Sequence, residues 1–157
     1  MIDLQALLVA LTDARVDFIL VGGIAALAHG SSRATYDVDL VYARDIGNLN
    51  RLVEALSPHH PYLRDAPPGL PFRFDRDTLE RGLNFTLTTD LGAIDLLGEI
   101  VGGGGYDDLL LDTIEVVLFG RTCRCLNLPR LIAVKRAAGR PKDFEAIAEL
   151  EKILEES

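Results

Sequence analysis

Residues 22–40 read GGIAALAHGSSRATYDVDL. Two glycines open a short apolar run that ends at His29-Gly30, a polar loop follows, and Asp37-Val38-Asp39 then enters an apolar stretch. Val38, Leu40 and Val41 read as a strand. Successive side chains on a strand alternate faces, so Asp37 and Asp39 emerge on the same side. Two carboxylates so placed repel unless a cation lies between them. Oxygen-only ligands on a rigid strand suit Mg²⁺, which takes a few carboxylates together with water and substrate phosphate. The Gly22-Gly23 turn precedes a helical run, whose first N–H groups can receive an anion. A phosphate cradle and a metal pair in one segment point to nucleotide chemistry.

On either side of this segment the chain alternates element types. Leu4, Leu7, Leu8 and Leu11 give Ile2–Ala14 a helical spacing, and Phe18–Val21 is a short apolar strand that stops at the two glycines. Ile24–His29 reads as a helix and Val38–Tyr42 as the strand that carries the acids. Leu49, Leu52, Val53 and Leu56 mark a second amphipathic helix, ended by Ser57-Pro58. Residues 58–72 hold five prolines and little periodicity, and read as a surface loop. Leu83–Thr88 and Ala93–Leu97 flank Thr89-Asp90-Leu91-Gly92 as an antiparallel hairpin, and Ile114–Phe119 with Thr122–Leu126 form another around Gly120-Arg121. Gly102–Gly105 reads as a hinge before a short helix near Tyr106–Leu111. Two helices, Leu128–Ala138 and Lys142–Leu154, close the chain. No repeat or low-complexity tract divides it, so residues 1–157 are expected to form one α+β domain, a mixed β-sheet packed with helices.

A third acid enters here. Ile94-Asp95-Leu96-Leu97 is an apolar strand with one carboxylate in its middle. An unpaired buried charge is costly, so such an acid is paired, metal-bound or open to solvent. If this strand lies beside Val38–Tyr42, Asp95 joins Asp37 and Asp39 around one or two divalent ions. Such ions can bind a triphosphate, align a hydroxyl and stabilise the leaving pyrophosphate.

Composition narrows the partners. With 48% hydrophobic and 25% charged residues the chain is an ordinary globular protein of 157 residues, long enough to bury a core. No apolar run reaches the ~18 residues needed to span a bilayer, and the acidic N-terminus has no basic n-region, so a cytoplasmic protein is expected. A net charge of −8 argues against broad, sequence-independent nucleic-acid binding, which needs a basic face. Cys123 and Cys125 lack a second ligand pair at zinc-site spacing, and read as two small buried residues.

These residues carry a resemblance. Val21-Gly22-Gly23, then Asp37-Val38-Asp39 after thirteen intervening residues, then the lone Asp95, resemble the hG[GS], [DE]h[DE] and later-acid pattern of the polymerase-beta-like nucleotidyltransferase superfamily. The run HGSSRATYDVDL is similar to the R-x-T-x-D-x-D signature of the abortive-infection toxin type, and the tail LPRLIAVKRAAGRPKDFEAIAEL adds to that likeness. The likeness covers about residues 16–155. It implies a nucleotidyltransferase fold ending in two helices, and metal-dependent transfer of a nucleoside monophosphate from an NTP to an acceptor (RNA, protein or small molecule). It assigns Asp37, Asp39 and Asp95 to catalysis and to Mg²⁺ (or Mn²⁺), and Gly22 and Gly23 to the triphosphate. It also implies a place in a toxin–antitoxin or defence pair. Many members have Gly-Ser where this chain has Gly22-Gly23, which leaves only backbone N–H groups for the phosphate. Larger relatives add an acceptor-binding domain absent from this sequence, so the acceptor is expected to be held by a protein partner, by a second copy in a homodimer, or not at all.

Several residues have a plainer reading beside the functional one. Arg33 is either a loop arginine or a phosphate-facing donor, Thr35 either shapes the loop or lies at the nucleotide, and Lys135 either reaches phosphate or sits on a solvated helix face. His29 reads as a cap or packing residue, Lys142-Asp143 as first-turn charges, and His59-His60 lacks a partner for a metal site. VGGGGY has the glycines of a phosphate loop without its Gly-Lys-Ser/Thr ending. The rival to an active enzyme is a catalytically inactive nucleotide-binding or partner-binding protein that keeps the fold.

Overall fold

The computed structural model describes residues 2–157. Helix α1 (Leu4–Asp13) starts at Asp3, whose carboxylate accepts from the Ala6 N–H at 3.0 Å. Strand β1 (Phe18–Val21) leads directly into α2 (Gly22–Ala28), followed by β2 (Asp37–Tyr42) and α3 (Ile46–Leu56). A 3-10 turn at Ser57–His59 precedes β3 (Tyr62–Leu63), α4 (Arg76–Arg81), β4 (Phe85–Thr89) and β5 (Gly92–Leu97). Next come β6 (Glu99–Ile100), β7 (Gly104–Gly105), α5 (Tyr106–Leu109), β8 (Thr113–Leu118) and β9 (Arg121–Leu126). Helices α6 (Leu128–Ala138) and α7 (Pro141–Glu155) complete the chain.

Seven strands form one mixed sheet in the order β3-β4-β5-β2-β1-β9-β8. The contacts β2–β5 and β1–β9 are parallel and the others antiparallel. Every residue of β1 is buried, which is why FILV reads as an unbroken apolar run rather than an alternating one. Leu7, Leu8 and Leu11 of α1 and Leu49, Leu52 and Leu56 of α3 join it in the core, placed there by their helical period. On β2, Val38 and Leu40 are buried on one face, while on the other Val41 is buried and Asp37 and Asp39 stay partly open. The acids therefore sit where an otherwise covered face reaches solvent.

Three local readings of the sequence are corrected. The helix after β1 starts at Gly22 rather than Ile24, so the glycines form its first turn. The proline-rich stretch is not loop throughout: β3 within it pairs with β4, Tyr62 opposite Thr88 and Leu63 opposite Leu87. The glycine run closes a tight two-strand ladder, Glu99 opposite Gly105 and Ile100 opposite Gly104, instead of an open hinge. Helix α4, which the sequence did not announce, is held by its Asp75 cap and by Leu79, its one buried residue.

Candidate active site

The parallel β2–β5 register sets Asp37 opposite Ala93 and Asp39 opposite Asp95. In-register partners point to the same face, so the three acids converge: one carboxylate oxygen from each lies within 4.8 Å of the others. Asp39 has a buried Oδ1 with no hydrogen-bond partner. Burial, reinforced by the like charges of Asp37 and Asp95, pushes the Asp39 carboxyl up to about 7. A group so placed favours a proton or a cation.

The two glycines make room for this arrangement. A Cβ on Gly22 would lie 2.3 Å from Asp39 Oδ2, and Gly22 is left-handed at φ 63°. Only glycine meets both demands without strain. A Cβ on Gly23 would come within 2.8 Å of the Thr35 hydroxyl, which donates to the Asp37 carbonyl at 2.9 Å. Thr35 thus braces the entry to β2 against the first turn of α2.

Sequence reasoning missed Arg64. The Arg64 N–H donates to the Thr86 carbonyl at 3.0 Å and extends the β3–β4 pairing by one residue. Thr86 is opposite Asp95, so Arg64, Thr86, Asp95 and Asp39 form one row across four strands. From there the Arg64 guanidinium donates to Asp95 Oδ1 at 2.8 Å and to the Leu87 carbonyl at 2.7 Å, and lies 3.7 Å from Asp37 Oδ2. The residue itself stands in plain view after Pro61-Tyr62-Leu63, but its row depends on a register that local sequence does not encode.

A cleft of about 390 Å³ opens beside Asp39, lined among others by Gly22, Asn84, Val101, Val134 and Lys135. Lys135 is half-buried in its wall; burial pulls its ammonium below the ordinary lysine value, against the opposing pull of Asp143 and Asp39. Arg33 points elsewhere: its guanidinium is 3.1 Å from Glu145 and 3.8 Å from Glu149 on α7. His29 is bonded through Nε2 to the Leu126 carbonyl at 2.7 Å. Cys123 and Cys125 are free, buried thiols. Another hollow, of about 290 Å³ beside Phe18 and Tyr106, is at the far end of β1 and is lined by Asp17 and Glu115 rather than by the triad.

Comparison of the sequence with known protein families finds no matching family, and comparison with curated proteins finds no match either. Comparison of the structures does find a neighbour. The crystal structure of a candidate nucleotidyltransferase from Thermotoga maritima superimposes over 100% of this chain and 97% of its own, with a TM-score of 0.56 and 16% identity. The fold is that of a nucleotidyltransferase. On it, the acid triad, the paired glycines and the Lys135 cleft share one end of the sheet. Among the described residues no helix is long and apolar enough to cross a membrane.

Proposed function

We propose that this chain, as a single nucleotidyltransferase domain, transfers a nucleoside monophosphate from an NTP to a hydroxyl of an acceptor, with Mg²⁺ or Mn²⁺ at Asp37, Asp39 and Asp95. The observation that carries the reading is the convergence of three carboxylates around Asp39, whose buried Oδ1 has no partner. The donor set fits the ion: hard oxygens only, on two adjacent strands, with a buried charge that a cation would stabilise. When bound, the ion would neutralise triphosphate charge and lower the barrier to attack on the α-phosphorus.

The chain's own groups supply the rest. Asp37, Asp39 and Asp95 would hold the cation, and Asp95 also takes the proton of the attacking hydroxyl as a new oxygen–phosphorus bond forms. The bond from the α-phosphorus to the bridging oxygen breaks, and pyrophosphate leaves. Lys135 meets phosphate from the wall of the cleft, and the N–H groups of Gly22 and Gly23 in the first turn of α2 approach the triphosphate. Leu97, Val101 and Val134 give the same cleft an apolar wall that can shield a base or ribose from water. Arg33, turned to α7, and Thr35 serve the loop that delivers Asp37. The acceptor is RNA, a protein or a small hydroxylated molecule, held with the help of a protein partner or a second copy. The abortive-infection likeness of HGSSRATYDVDL favours a cytoplasmic toxin–antitoxin or defence setting.

The test is calorimetric titration of ATP, GTP, CTP and UTP, each with and without Mg²⁺, on the wild type and on a folded D37N/D39N variant. Binding that requires Mg²⁺ and vanishes in the variant is expected. Binding that ignores the ion, or survives the double substitution, overturns the metal site. Absence of binding by any nucleotide, with capture of a stable partner, moves the reading to an inactive partner-binding protein with the same fold.

A further inference from the structure

We infer that Arg64 makes divalent-ion binding conditional on the nucleotide: its guanidinium opposes a bare ion at the triad and favours an ion that arrives with a triphosphate. The inference rests on the metal-site reading above. Arg64 is no loose surface arginine. Its side chain is 24% exposed, tethered to the Leu87 carbonyl at 2.7 Å, and held against Asp95 at 2.8 Å and near Asp37 at 3.7 Å. The Leu87 bond keeps the charge at the triad when the carboxylates take another partner. Its Nε is buried without a hydrogen-bond partner, so the side chain is not closed into a saturated structural network.

Charge decides what this cation does. When all three carboxylates are ionised the cluster carries −3, and Arg64 brings it to −2. A divalent ion shared by the three acids meets a fixed positive charge a few ångströms away, and like charges in a partly buried site repel strongly. A triphosphate reverses the balance, since an ion that arrives with it carries a net negative charge, which the fixed guanidinium attracts rather than repels. Arg64 thus lowers affinity for the ion alone and raises affinity for the ion–nucleotide pair, and the acids are kept from filling with metal before substrate arrives. Its delivery from β3, the outermost strand, leaves it on the solvent side of Asp95 in their shared row.

The test titrates Mn²⁺ alone, and then ATP at saturating Mg²⁺, into the wild type, R64A and D37N/D39N, with circular dichroism to confirm that each is folded. R64A is expected to bind bare Mn²⁺ about tenfold more tightly and Mg·ATP about tenfold more weakly. A purely structural role moves both affinities down together. If folded R64A binds bare Mn²⁺ no more tightly than the wild type, the inference is overturned while the metal site stands. If R64A, freed of the opposing charge, binds no Mn²⁺, or D37N/D39N binds it as well as the wild type, the metal-site reading falls and the inference with it. Should R64A fail to fold, R64Q, which keeps a polar side chain without the charge, faces the same two titrations and the same criteria.

Discussion

The β1–β2 ladder ends in two polar side chains that the core treats in opposite ways. Beside its Phe18–Tyr42 end, Asn48 is fully buried and fully used. Its Oδ1 accepts from the Asp17 N–H at 2.7 Å, and its Nδ2 donates to the Asp17 carbonyl at 3.0 Å and the Ala43 carbonyl at 2.7 Å. That amide ties the chain before β1 to the chain after β2. At the Val21–Asp39 end, Asp39 has a buried oxygen with no partner and two carboxylates as neighbours. A neutral group that completes its bonds adds stability, whereas an ionised group in repulsive company detracts from it until a cation arrives. One ladder thus separates the fastening of the fold from the chemistry of the site.

The sharpest way to break this contrast is Asp39→Asn. Ion affinity is expected to fall about 100-fold or more, because a charged ligand with a buried, unpartnered oxygen is lost, while the protein becomes more stable near neutral pH. The sign follows from linkage. The Asp39 carboxyl titrates near 7 in the folded protein against an ordinary value of 3.8, so the unfolded chain gives up this proton first. Its contribution to stability is complete below about pH 4 and is lost as pH rises toward and through about 7. The loss is on the order of a few kcal/mol in the absence of divalent ions. Thermal melts from pH 4 to 8 should show that decline in the wild type and a flatter profile in D39N. Saturating Mg²⁺ should also flatten the wild-type curve. Parallel profiles for the two proteins would mean that Asp39 is no more strained than Asn48.

Asn48→Ala comes next and acts on the other end alone. It strands the Asp17 N–H and the Ala43 carbonyl, at a cost of about 2–3 kcal/mol. Ion affinity in the folded variant should match the wild type, and a fall would show that the two ends are coupled. Gly22→Ala is smaller in stability, about 1–2 kcal/mol for a left-handed alanine, but it acts at the site. Its Cβ would displace the Asp39 carboxylate, so Mn²⁺ titration should reveal weakened binding. Unchanged affinity would mean that Asp39 can turn away from Gly22 and still hold the ion.

How much of this was legible depended on range. Asp37 and Asp39 could be placed on one face because a strand's two-residue period is local, and FILV and the hairpin around Asp90 were readable for the same reason. Asp95 needed one assumption, that its strand lies beside Val38–Tyr42, and the parallel β2–β5 register meets it. Arg64 was beyond reach: two residues of strand show no alternation, and the five prolines around it argue for loop. Helix α4 has a single buried residue and hence no apolar period. The glycines were visible as a turn, but the side chains that occupy their missing Cβ positions come from Thr35 and Asp39, whose approach is tertiary.

Arg33 shows the same limit from the other side, and it supplies the mildest test. Its spacing before Asp37 fits a phosphate donor, yet it pairs with Glu145 and Glu149, which lie more than a hundred residues later. Glu149 also accepts from the Ser31 hydroxyl at 2.6 Å and the Ser32 hydroxyl at 3.1 Å, so the loop before β2 is clasped to α7 by a network open to water. Arg33 is 44% exposed and Glu145 83%, and screening leaves such a pair worth at most about 1 kcal/mol. Arg33→Ala should therefore lower the melting temperature slightly, by an amount that shrinks in high salt, and leave Mg·NTP affinity where it was. A tenfold loss of nucleotide affinity at unchanged stability would instead mean that Arg33 leaves Glu145 when substrate binds. In that case the clasp belongs with Asp39 rather than with Asn48, as a group whose partner in the folded chain is held in place of a ligand.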